Sequence, residues 1–173
     1  MMSKKFIFVV ASLLTLVGCA APKPPDYAAE HQAAVDAFMA GWNDGNMDGL
    51  SAGVADNIQR HSPGGLNADG LDAFKKVVTD LRTGYPDTKV VLDESYFMKD
   101  MSFHLWTFTG TNTGPGATPP TGKAVKLTGM TRLRYESGKV VEELVYFDAG
   151  DWYTQLGYTL VPPAATEAAP AAK

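Results

Sequence analysis

Cysteine is almost missing from this chain: one residue, Cys19, among 173. A lone thiol closes no internal disulfide, and no Cys/His grouping has the spacing of zinc ligands, so neither a disulfide-stapled domain nor a metal site is expected. Positive charge is in short supply as well, with Lys+Arg 15 against Asp+Glu 19 and a formal net charge of −4. That balance argues against a nucleic-acid partner. The apolar run at residues 6–14 is too short for a permanent span, since a bilayer core of ~30 Å needs about 20 residues. Motifs of several chemistries are lacking too. There is no Gly-x-Ser-x-Gly elbow and no phosphate-cradling loop opening a helix, and Gly114-Pro115-Gly116 sits in a proline-rich stretch unsuited to a dinucleotide. No cofactor is implied. What remains is globular: 45% hydrophobic, 10% aromatic and 20% charged residues, in a length that suits one domain.

Both ends depart from that composition. Lys4 and Lys5, the apolar residues 6–14, and then Leu16-Val17-Gly18-Cys19 read as a secretory signal over residues 1–18. The Leu-Val-Gly-Cys end resembles the lipobox of bacterial lipoproteins, in which the cysteine is lipidated at its thiol and becomes the new N-terminus. The resemblance implies a membrane anchor at Cys19; an ordinary signal with an incidental buried cysteine is the other reading. Three acyl chains exceed the two lipid signals that stable anchoring requires. By the same resemblance, Ala20 sends the protein to the cell envelope, on the periplasmic face of the outer membrane in a Gram-negative host. Residues 19–27, small and proline-rich, read as a tether, and the Ala/Pro-rich residues 162–173 as a disordered tail. The folded domain is then residues 28–161.

Within it, Val35, Phe38, Met39 and Trp42 fall at helical spacing and predict a helix over residues 30–42. Leu50, Val54 and Ile58 suggest a shorter second helix, interrupted by glycines. Leu71, Phe74, Val77, Val78 and Leu81 repeat the helical spacing and predict a third. After Pro86 the period changes to 2, and residues 89–98, 102–113, 124–135 and 139–147 have the Val, Thr, Tyr, Phe and Trp of half-buried strands. Short turns at Lys99-Asp100 and Glu136-Ser137-Gly138 pair them antiparallel; residues 114–122 form a loop. The expected class is α+β, with three N-terminal helices packed on a curved antiparallel sheet and a cavity between the layers.

Several segments together resemble the SnoaL-like polyketide cyclase or ester cyclase group of the nuclear-transport-factor-two-like superfamily. They are Phe38 to Asn46, His61-Ser62-Pro63, Gly84-Tyr85-Pro86-Asp87, Gly110 to Gly114, Pro119 to Lys123, Gly138 to Glu143, and Asp148 followed by Gln155-Leu156-Gly157. The resemblance implies a cone-shaped α+β half-barrel, commonly a homodimer through the outer face of its sheet. It also implies cofactor-free ring closure, with an acid at the end of the last strand as general acid and base. The matching position is Asp148.

Alternation along the last strand puts Asp148 with Leu144 and Tyr146, and a carboxyl lowered into such a lining becomes a better acid or base. Asp148 also stands where an N-cap for residues 150–156 would be. His61, which the resemblance places at the cavity rim, can shuttle a proton or serve as a hydrogen-bonded structural histidine. His104 shares a face with Trp106, and either side of that strand can be the wet one; His31 is expected at the surface. Arg132 pairs with Asp148 or binds a substrate oxygen if its face lines the cavity, and is a surface cation if not. Trp42, Trp106, Trp152 and Tyr146 form an aromatic wall for a flat ligand or simply fill the core. Two functions follow. One is an exported, lipid-anchored domain that binds a small, largely apolar molecule and cyclises, isomerises or hydrates it through Asp148, helped by His61. The other is a non-catalytic module of the same fold that binds a ligand or an envelope partner.

Overall fold

Asp26 starts the first helix by accepting a hydrogen bond from the Ala29 N–H at 3.2 Å, and helix α1 (Tyr27–Asp44) then buries Val35, Phe38 and Trp42 along one stripe. The computed structural model describes residues 25–161; the expected signal, Cys19, most of the expected tether and the expected tail lie outside the described residues. Asn46 caps a short α2 (Met47–Gly53) through the Gly49 N–H at 2.8 Å. Here the structure corrects the sequence expectation. Val54 and Ile58 do not continue that helix but sit, fully buried, on strand β1 (Val54–His61). A spacing of four residues satisfies a helix and an alternating strand equally well, so the apolar pattern alone could not separate them.

A turn at Pro63–Gly65 and a two-residue strand β2 (Ala68–Asp69) lead into α3 (Leu71–Gly84). The third helix therefore follows the first two strands and does not precede the sheet. The rest alternates as expected: β3 (Lys89–Phe97), β4 (Met101–Thr111), β5 (Ala124–Glu136), β6 (Lys139–Phe147) and a final α4 (Ala149–Gln155). Ser137 and Gly138 both take positive φ, 50° and 76°, the conformation a two-residue β5–β6 hairpin demands. The curved six-stranded sheet runs β2-β1-β6-β5-β4-β3. Its β1–β6 join is parallel, so the sheet is mixed and not wholly antiparallel.

The sheet has three register shifts, one of them in the β1–β6 join between Val54 and Gln59, and the other two decide which side chains of β3 and β6 face the helices. Of these two, one lies between Leu92 and Glu94 on β3. The other lies where β5 meets β6, with Arg134 opposite Glu142 but Tyr135 opposite Val140, so that Val140 and Val141 are both buried. Beyond it, Glu143, Val145 and Phe147 point inward while Glu142, Leu144 and Tyr146 point outward. The core has two clusters, one around Phe38, Phe74 and Leu133, the other around Tyr85, Phe108 and Leu127.

Gly129 stands between Trp106 and Phe147 on the inner face. A Cβ there would lie 2.3 Å from the Trp106 ring and 2.6 Å from the Tyr146 carbonyl. The glycine lets the indole approach the sheet closely. Gly129→Ala is expected to destabilise the fold by about 1–3 kcal/mol through overpacking, measured by urea unfolding; a neutral result would mean that Trp106 moves freely.

Candidate functional site

Between the sheet and α1, α3 and α4 lies a cavity of about 90 Å³, open at its mouth. Its wall is mostly apolar. Phe38 and Trp42 come from α1, Leu81 from α3, Trp106 and Phe108 from β4, Leu127 and Leu133 from β5, Val145 and Phe147 from β6, and Trp152 from α4. The inner rows of β4, β5 and β6 supply most of it, which is why the two register shifts matter. The lining is that of a site for a small apolar ligand.

Two polar features interrupt the wall. The first is an ion pair: Arg60 on β1 donates through Nη1 to Glu143 Oε2 on the neighbouring β6. Arg60 is 4% exposed and Glu143 2%. Burying two charges costs several kcal/mol per ion before pairing, about what their mutual attraction must return. Further partners supply the balance on the arginine side. Nε donates to the Leu66 carbonyl at 2.9 Å, and the guanidinium lies 5.1 Å from the Trp42 ring centre and 5.9 Å from that of Phe74, a stabilising cation–π arrangement. Burial pushes the Glu143 carboxyl above the usual glutamate range, and the Arg60 charge and hydrogen bond oppose that rise.

The second feature is His104 on β4. Ser95 Oγ lies 2.8 Å from its Nδ1 and Ser102 Oγ 2.7 Å from its Nε2. Ser102 in turn contacts the Tyr135 hydroxyl at 2.7 Å, and the Tyr135 ring stacks on His31 at 4.0 Å. Burial lowers the His104 pKa to about 4, so the imidazole is neutral at pH 7. His31 is itself buried, not at the surface. Its Nε2 is 3.1 Å from both the Met98 and Lys99 carbonyls, which fixes the hydrogen on that nitrogen.

Of the residues singled out from sequence, Trp42, Trp106, Trp152 and His104 meet at the cavity. The others are not among its lining residues. Asp148 is exposed and caps α4, its carboxylate accepting from the Asp151 N–H at 3.0 Å. His61 is exposed at the end of β1, where its neighbour Arg60 takes the inward direction. Arg132 lies on the outer face and pairs with Glu142 at 2.6 Å, not with Asp148. Tyr146 is 57% exposed on that same face. Arg60 and Glu143 were missed. Arg60 falls just beyond Ile58, at the end of the stretch whose apolar spacing suggests a second helix, where nothing marks an inward-facing cation. The signal for Glu143 was available: adjacent Glu142 and Glu143 on one strand must point to opposite faces, and the face holding Glu143 is the more apolar.

The SnoaL-like polyketide cyclase family matches residues 32–156, and the chain belongs to that family. Among curated proteins none matches it. Among solved structures, a SnoaL-like protein of Jannaschia sp. CCS1 superposes with a TM-score of 0.71 at 19% identity, over 81% of this chain and all of its own, 100%. TsrD of Streptomyces laurentii superposes at 0.68 with 20% identity, over 75% of this chain and 96% of that one. At such identities the likeness is one of fold.

The depressed His104 pKa fixes a sign. The unfolded chain, titrating near 6.5, binds the proton first as pH falls. The stability due to neutral His104 is complete above pH 6.5 and is lost between 6.5 and about 4, up to about 3 kcal/mol. In His104→Gln, the stability difference between pH 7 and pH 4, from urea unfolding, is expected to shrink by that amount. An unchanged difference would contradict the assignment.

Proposed function

We propose that this domain binds a small, largely apolar molecule in the cavity, and does so at the cell envelope, where a lipidated Cys19 tethers it. The observation that carries the reading is the composition of the wall: all 3 tryptophans of the chain border the cavity, with aliphatic side chains between them and few polar atoms. An apolar wall of this kind holds a ligand by excluding water, at roughly 25 cal/mol per Å² of apolar surface covered. A homodimer, implied by the resemblance, belongs to the same reading. Leu105, Met130 and Tyr146 stand in register across the outer face of the sheet and give it apolar surface.

Cofactor-free acid/base turnover is the second reading, as cyclisation, isomerisation or hydration. Asp148 does not favour it, being a helix cap in water. Glu143 does: it is the carboxyl among the lining residues, and its burial favours the protonated form that a general acid needs near neutrality.

Two measurements test the proposal. Methyl 2-naphthoate titrated into the full chain is expected to quench tryptophan fluorescence saturably; a response that stays linear would contradict a ligand cavity. Cys19→Ala is expected to move the protein from the membrane pellet to the soluble fraction, and an unchanged pellet would remove the lipid anchor from the account.

A further inference from the structure

Most polar atoms in the cavity wall are already occupied. Both nitrogens of His104 meet serine hydroxyls at 2.8 and 2.7 Å. Thr131 Oγ1 accepts from Trp106 Nε1 at 2.9 Å, and Trp152 Nε1 donates to the Tyr85 hydroxyl at 2.8 Å. The ion pair is different. Arg60 uses Nε on Leu66 and Nη1 on Glu143 Oε2, so Nη2 and Glu143 Oε1 have no hydrogen-bond partner among the described residues. Nor are these two atoms sealed off: the buried side-chain polar atoms without a partner are His31 Nδ1 and Arg132 Nε. Nη2 and Oε1 therefore keep accessible surface, and the cavity is what their side chains line. The ion pair thus keeps one unused donor and one unused acceptor in an otherwise apolar wall.

The geometry points to Arg60 and Glu143 together as the head-group subsite for an apolar monocarboxylic acid, deepening the ligand-binding reading on which it rests. One carboxyl oxygen of the ligand accepts from Arg60 Nη2, and the other shares a single proton with Glu143 Oε1. Charge balance favours this class of ligand. One guanidinium beside two carboxyl groups holding one proton is neutral overall, whereas two full carboxylates side by side cannot both stay ionised. Burial of Glu143 favours that proton. The titratable side chains lining the cavity are Arg60 from β1, His104 from β4 and Glu143 from β6; α1, α3, β3, β5 and α4 contribute none. His104, lowered to about 4, does not titrate above pH 6.

The test uses the full chain and three probes on one skeleton: 2-naphthoic acid, its methyl ester and its carboxamide. At pH 6 the acid is expected to bind at least tenfold tighter than either neutral probe. Its affinity should weaken from pH 6 to 9, approaching tenfold per unit once free Glu143 is ionised. In Glu143→Gln that pH dependence should vanish, because the arginine charge is then free for the carboxylate. Should Glu143→Gln not fold, Arg60→Met/Glu143→Leu replaces the pair by apolar groups of similar volume, a change that is commonly neutral or stabilising. In that variant the ester should bind as in the parent while the preference for the acid is lost. Ester and acid binding equally, the amide matching the acid, or a preference for the acid that survives the double substitution would each overturn the subsite and leave the cavity reading intact. Binding of none of the probes would overturn both.

Discussion

A guanidinium and a carboxylate buried side by side in an otherwise apolar wall constrain everything around them. Arg60 and Glu143 are register partners across the parallel join of β1 and β6, so the pair ties the first long strand to the last. Trp42 from α1 and Phe74 from α3 lie close to the guanidinium, which fixes both helices over the same spot. Removing one partner would strand a charge in low dielectric, at a cost of about 3–5 kcal/mol. Removing both need cost little. A pair held on those terms is weak support for stability, and both of its side chains line the apolar cavity.

The cavity itself is a product of strand register. Without the shift on β6, its inner row would carry Glu142 and Tyr146; with it, the row is Glu143, Val145 and Phe147. The shift on β3 does the same for Leu92 and Ser95, bringing Ser95 under His104. Gly129 then lets Trp106 approach the sheet closely, where its N–H is satisfied by Thr131. The result is a wall rich in aromatic rings whose own polar atoms are bonded to neighbours, so that unsatisfied polarity is concentrated at the ion pair.

Much of the fold was legible in the sequence, for identifiable reasons. The stripe of Val35, Phe38 and Trp42, the turn at Ser137-Gly138 and the change of period after Pro86 each specify one local structure. The first strand was not legible, because Val54 and Ile58 fit both periods and the partner that decides between them, β6, lies some eighty residues on. The site was half legible. Trp42, Trp106, Trp152 and His104 are candidates by residue type, but which face of β4 turns inward, and whether the rings line a cavity or fill a core, depends on packing that the sequence does not show. Alternation along β6 puts Asp148 on the face of Leu144 and Tyr146, and the shift at Val141 turns that face to water, where Asp148 caps α4. Register shifts depend on pairing with a neighbouring strand and leave little trace in the composition of the strand itself.

The carboxyl that lines the cavity is Glu143 and not Asp148. The most direct measurement is the side-chain carboxyl carbon shift of each, followed by NMR in the selectively labelled full chain as a cavity ligand such as 2-naphthoic acid is added. The account predicts that the Glu143 carbon moves with occupancy while that of Asp148 stays fixed. Movement at Asp148 with a silent Glu143 would contradict it.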